Sequence, residues 1–231
     1  RMKKTNLLSL AWNFIPEFWM MLSGGVPKLI LIAEFTGDSL EEVFQKANRA
    51  DKALTPFNLK THITRNEAQT QKYWIMRRES FNLLRQHIKD KEAAPFIDDF
   101  IVPPASLPHF LPELEKLMAQ YPLTYTIAGH VGNGNFHIIP LMNLSDPSSP
   151  TIIKELSEKV YHLVVQLHGS ITAEHNDGLI RTPFLELMYG KEVIKLFEEV
   201  KQIFDPHGIF NPVKKVGTTF SEAMRYLKQV S

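Results

Sequence analysis

Apolar positions along the chain repeat with two periods, and each period predicts a different kind of element. Lys28–Phe35 (KLILIAEF) is a continuous apolar run that predicts a buried strand. Leu59–Thr64 alternates, with Leu59, Thr61 and Ile63 on one face, as a half-buried strand would. Phe96–Val102 predicts a third strand, halted by Pro103-Pro104. Thr124–Ala128 carries β-branched and aromatic residues, and Phe136–Leu141 is apolar around one histidine, so two further strands are expected there. Helical spacing lies between these runs. Ser39 and Glu42 fit a capping box that opens a helix to about Ala50. Residues 66–88 place Tyr73, Trp74, Phe81, Leu84 and Ile88 on helical spacing. Ser106 is expected to cap a helix to about Tyr121, with Pro108 tolerated in its first turn. Thr151–His168 carries Ile152, Leu156, Val160, Leu163, Val164 and Leu167 on one face and is closed by Gly169. A last helix, Lys191–Phe204, stops at Asp205-Pro206.

Strands alternate with helices, yet a hairpin joins two of them. That pattern predicts an α+β fold, a mainly antiparallel sheet covered by helices, over a doubly wound sheet. Residues 5–23 are apolar and aromatic, with Pro16 breaking or kinking any helix there. They read either as a helix packed on its own sheet or as a docking surface for another domain or a membrane. Glu17 and Lys28 interrupt this run and no small-residue cleavage site stands out, which argues against a signal peptide or a membrane span. The opening Arg1-Met2 reads as a trimmed start.

Composition changes the picture in three ways. At 231 residues and 44% hydrophobic content, the chain can build one large or two small cores. A formal net charge of +1 leaves no dominant basic face for nucleic acid. The absence of cysteine excludes disulfides and iron–sulfur ligation within the chain and suits a reducing compartment.

Candidate chemistry gathers in two stretches, TYTIAGHVGNGNFHIIPL at 124–141 and GSITAEHNDGLIRTPF at 169–184. Asn133-Gly134 tolerates two successive positive φ angles and predicts a tight reversal. His130 and His137 flank that connection, so the hairpin can bring two imidazoles together. With Glu174 they would suffice to hold a divalent metal with positions left open, and the adjacent His175 would be free to move a proton. Gly132-x-Gly134 is followed by a strand and lacks a third glycine, so it is not a dinucleotide fingerprint. No HExxH, GxSxG or Walker loop occurs.

GHVGNGNFH, EHNDGLIR and IFDPHGIFNPVKK, in that order, resemble the C-terminal half of the FAD-linked oxidases, which include D-lactate, glycolate and D-2-hydroxyglutarate dehydrogenases. The family pattern runs GHxGDGNxH, then EHGxG with an arginine after it, then FDPxxxLNPGK, and the resemblance covers nearly all of the chain. It implies a cap or substrate domain of ferredoxin-like subdomains over residues 1–231, part of a longer flavoenzyme whose N-terminal FAD-binding domain lies elsewhere. It further implies metal ligands His130, His137 and Glu174, binding zinc, manganese or iron, and His175 as the base. Arg77, in a Trp-x-x-Arg arrangement with Trp74, would pair with the carboxylate of a small 2-hydroxy acid. Asn135, Arg181 and Asn211 would contact the cofactor. The implied reaction is oxidation of a D-lactate- or glycolate-like acid, with hydride passing to FAD.

Three positions depart from the family pattern. Asn133 replaces its aspartate, Asn176 the glycine after Glu-His, and Val213 the glycine before the lysine. No proposed ligand or base is removed, but the loops around the pocket are altered. Glu-His-Asn-Asp-Gly resembles longer members joined to an iron–sulfur electron-transfer module. The expected location is cytoplasmic, with peripheral contact to the inner face of a membrane left open. Two rivals remain: a non-haem iron oxygenase, against which the long helices argue, and a non-catalytic metal-binding or interaction module docking on a flavoprotein or membrane.

Overall fold

A computed structural model describes residues 29–87 and 90–227, without the side chains of residue 76 and of residues 79–87. The expected apolar segment 5–23 lies outside the described residues. The chain divides into two compact units, one ending at Arg78 and the other beginning at Glu79.

In the first unit α1 spans Leu40–Leu54 and α2 begins at Glu67 and runs on to His87. Ser39 Oγ accepts the backbone N–H of Glu42 at 3.2 Å, while Glu42 Oε2 reaches back to the N–H of Asp38 at 3.0 Å. The first bond satisfies a donor that the first helical turn leaves open, and the second ties down the residue just before the cap. Asn66 Oδ1 opens α2 in the same way, accepting from Gln69 N at 3.0 Å. The strands expected at 28–35 and 59–64 are absent from the described residues, which run there without ladder bonds. Leu29 and Leu31 are each 65% exposed. An apolar run supplies a strand's side chains but not the neighbouring backbone that its N–H and C=O groups require.

The second unit holds the core. Its strands are β1 (Glu92–Ala93), β2 (Ile97–Ile101), β3 (Thr124–His130) and β4 (Asn135–Met142). β4 is central: β3 pairs along one side, and β2 and β1 follow each other along the other, all antiparallel. α3 (Leu107–Met118) and α4 (Ser149–Gln166) pack with the sheet around Ile97, Phe100, Phe110, Leu114, Ile138, Leu156, Val160 and Val164. Tyr161 is fully buried among them, and its hydroxyl donates to the carbonyl of Phe96 at 2.5 Å. Burial pushes that phenol well above its usual range, so it stays a neutral donor. The short α5 (Gly178–Arg181), then α6 (Leu185–Phe204), two helical segments broken at Gly190 (φ 76°), and α7 (Phe220–Met224) complete the described elements. The mixed helix and antiparallel sheet is the α+β architecture read from the sequence.

Three local expectations change. Ser106 makes no side-chain cap, because it is itself the end of a 3-10 turn, Pro104–Ser106, that leads into α3. In the connection between the two strands only Gly134 takes a positive φ (76°); Val131–Asn133 form a 3-10 turn instead of a two-residue reversal. A Cβ on Gly134 would lie 1.8 Å from the carbonyl oxygen of Val102, so close approach as well as turn geometry demands glycine. α4 ends with His168, not Gly169, in the left-handed region (φ 58°). Gly169 is needed because any Cβ there would meet the carbonyl oxygen of Ile101 at 2.3 Å.

Candidate metal centre

The site begins with a break in the alternation of β2. Ile97 pairs with Ile138 and Asp98 with His137, yet Phe100, not Asp99, pairs with Phe136. Asp99 is the extra residue of a β-bulge and adopts φ 62°, a left-handed conformation that aspartate tolerates better than most residues. The bulge reverses side-chain parity. Ile97 and Phe100 both enter the core, while Asp98 shares the opposite face with His137. Ala128 pairs with His137 across the other side of β4, and His130, two residues further along β3, lies on that same face.

Asp99 itself is fully buried and turns toward a loop about seventy residues away. Its Oδ2 accepts the backbone N–H groups of Ala173 (3.0 Å), Glu174 (3.0 Å) and His175 (2.7 Å), and Asn135 Nδ2 donates to its Oδ1 at 3.2 Å. Burial pushes the carboxyl up, but the backbone donors of His175, Ala173 and Glu174 outweigh it and hold Asp99 below the usual carboxylate range. Mutual hydrogen bonds between Ile101 and Ser170 seat the start of the same loop against β2. This seating delivers Glu174 and His175 to the face that carries His130 and His137.

The expected ligands do come together. Glu174 Oε1 lies 2.9 Å from His137 Nε2, 3.4 Å from His130 Nε2 and 3.7 Å from His175 Nε2. The His137 and His175 rings stack at 4.6 Å with 11° between planes, and His130 stands edge-on to His137. Ligand atoms of Asp99, His137, Glu174 and His175 all fall within 4.8 Å of one another. Asp98 Oδ1 lies 3.1 Å from His137 Nδ1, and its Oδ2 lies 3.0 Å from His175 Nδ1. A carboxylate only accepts, so a hydrogen on each Nδ1 would let Asp98 hold both rings with their Nε2 lone pairs toward Glu174. Acceptors crowded on one oxygen call for a shared positive charge. Mixed imidazole and carboxylate donors suit zinc, manganese or iron, so the residues present fit a divalent metal.

Asn135 and Arg181 are each only 4% exposed. Asn135 Nδ2 also donates to the carbonyl of Phe100, and Arg181 donates to the carbonyls of Asp98 and Asn176, with Asp99 Oδ2 3.8 Å away. Both side chains therefore brace the bulge. Asn211 is exposed, in a loop ordered by Asp205, whose oxygens accept the N–H groups of Ile209 and Phe210. Lys215 ties this loop to the second motif through Asp177 and Thr182. Arg77 is on α2 in the first unit, its guanidinium carbon 5.7 Å from the Trp74 ring centre. Asp98 and Asp99 were missed by sequence reasoning. Their signal was two adjacent acids inside an otherwise apolar strand, which had to find polar partners.

An α+β layer with imidazoles and a carboxylate meeting on one sheet face defines the class: a domain with a candidate metal site at strand ends. The sequence pattern of the FAD linked oxidases, C-terminal domain, matches residues 20–215, and the chain belongs to that family. The D-2-hydroxyglutarate dehydrogenase of Escherichia coli (strain K12) is 28% identical over 190 residues, covering 79% of this chain and 19% of that protein. That of Pseudomonas putida (strain KT2440) is 28% identical over 209 residues, covering 89% and 21%. Glycolate oxidase subunit GlcD of Escherichia coli (strain K12) is 28% identical over 191 residues, covering 82% and 37%. The chain thus spans about a fifth of those dehydrogenases and over a third of that oxidase subunit. No helix among the described residues is long and apolar enough to cross a membrane.

Proposed function

We propose that the chain is the substrate-side domain of an FAD-dependent oxidoreductase that oxidises a small 2-hydroxy acid. The observation that carries this reading is the meeting of three imidazole Nε2 atoms around Glu174 Oε1. In it, His130, His137 and Glu174 would hold a divalent metal. Such an ion, when bound, acidifies the α-hydroxyl and fixes the hydroxyl and carboxylate oxygens of the acid. His175 takes the hydroxyl proton at Nε2, its Nδ1 facing Asp98 Oδ2 at 3.0 Å. Arg77 is assigned the substrate carboxylate, which a guanidinium matches with two parallel N–H bonds.

Hydride chemistry belongs to the flavin, which we assign to an N-terminal FAD-binding domain, with Asn211 as this chain's contact. Leu196, Val200, Ile203 and Phe204 form an exposed stripe along α6, each at least 54% exposed, and we assign that stripe to the same domain. An iron–sulfur module as electron acceptor and a cytoplasmic location complete the proposal.

One observation favours a different division of labour. His175 Nε2 is 3.7 Å from Glu174 Oε1, close to the 3.4 Å of His130, so His175 could serve as a further ligand instead of the base. Metal content and steady-state kinetics of the complete enzyme separate the two. On the first reading His137→Ala loses metal, with activity falling as a consequence. His175→Asn keeps its metal while turnover drops by roughly 10²–10⁴. Arg77→Ala mainly raises KM. If His175→Asn loses its metal while His137→Ala keeps both metal and rate, ligand and base are exchanged.

A further inference from the structure

We propose that Asp98 is a positioning residue shared by two histidines, one oxygen fixing the tautomer of His137 and the other that of His175. The inference rests on the metal-site reading above and adds to it a residue that links the ligand to the base. Several features hold Asp98 to this task. Its side chain is only 13% exposed, and its oxygens lie 3.1 Å and 3.0 Å from the two Nδ1 atoms. The bulge at Asp99 turns Asp98 onto the histidine face, its pairing with His137 sets it opposite that ring, and Arg181 donates to its carbonyl at 2.6 Å. Stacking at 4.6 Å and 11° makes the two rings parallel, so one carboxylate edge can meet both Nδ1–H groups.

The chemical consequence is directional. A ring whose Nδ1–H is engaged exposes its Nε2 lone pair, which is what a metal ligand and a proton acceptor both need. Without Asp98, each ring can place its hydrogen on Nε2, where it would bond Glu174 Oε1 and block either role. Asp98→Asn divides the effect. A carboxamide offers one accepting oxygen and one N–H donor, so it can hold one ring as before but drives the other to the Nε2–H tautomer. Asp98 acts through the two imidazoles.

The test uses the 231-residue chain in three forms: wild type, Asp98→Asn and Asp98→Ala. Ring-nitrogen NMR of the metal-free protein, about two pH units above imidazole's ordinary pKa of about 6.5, reports each tautomer directly. Both His137 and His175 should be Nδ1–H in the wild type. One should switch to Nε2–H in Asp98→Asn, and both should lose their preference in Asp98→Ala. Zinc titration should then give an affinity about 10–100-fold weaker for Asp98→Ala, the range for loss of a partner that orients a metal ligand. Thermal melts check folding, and if Asp98→Ala does not fold, the near-isosteric Asp98→Asn carries the comparison. Nε2–H at either histidine in the wild type, or unchanged tautomers and zinc affinity in a folded variant, would overturn the proposal. A wild type with the stated tautomers that binds no zinc would instead sink the metal reading and leave the role of Asp98 standing.

Discussion

Replacing Asp99 with alanine should be among the most damaging single changes in the second unit. The carboxylate is fully buried, accepts three successive backbone N–H groups from the 173–175 loop, receives Asn135 Nδ2, and lies 3.8 Å from the Arg181 guanidinium. Hydrogen bonds to a charged partner contribute about 1.5–3 kcal/mol each, and donors left buried and unpaired cost a further amount. These terms share one group and do not add. Removing one partner of a buried charge pair costs about 3–5 kcal/mol, so a loss of about 4 kcal/mol is expected for Asp99→Ala. Domains of this kind are stable by about 5–15 kcal/mol, so much of the margin would go. Asp99→Asn keeps one accepting oxygen for the loop but loses the Asn135 bond, because Asn135 cannot reverse its amide without turning an oxygen toward the Phe100 carbonyl. A loss of about 1–2 kcal/mol is expected there. Urea unfolding at neutral pH gives both values. An Asp99→Ala variant within about 0.5 kcal/mol of the wild type, the range of an ordinary surface substitution, would refute the claim that this carboxylate seats the loop.

Two further outcomes follow from the third motif. Val213 holds φ 58°, a conformation that costs a β-branched residue about 1–2 kcal/mol, and glycine would remove that strain. The greater freedom of glycine in the unfolded chain takes back about 0.5–1 kcal/mol, so Val213→Gly should raise Tm modestly, and a lowered Tm would contradict the strain. Asp205 is held below the usual carboxylate range by Lys201, against the opposing effect of burial, and by the N–H groups of Ile209 and Phe210. The unfolded chain therefore takes up this proton first as pH falls. The stabilisation is fully present above the unfolded pKa of about 3.9 and is lost as pH drops through the lower folded value. Urea midpoints between pH 5 and 3 should fall less steeply for Asp205→Asn than for the wild type; equal slopes would exclude the linkage.

Local pattern was enough to find the hairpin strands around His130 and His137, the helices over 151–168 and 191–204, and the histidine–carboxylate residues that meet. Each of those signals is short-range: β-branched runs, helical spacing, and a glycine where the chain must reverse. Tertiary structure alone decided how they are joined. Period-two alternation cannot reveal a bulge, because one extra residue at Asp99 reverses the parity of everything after it. The need of two adjacent acids for partners was legible in Ile97-Asp98-Asp99-Phe100, but the partners lie across the sheet at His137 and on the loop at 173–175, far away in sequence. Asn135 and Arg181 belong to the motifs, yet only packing shows them bracing the bulge. The runs at 29–35 and 59–64 have a strand's side chains but no described neighbour, since a strand is defined by the backbone it pairs with and not by its own residues.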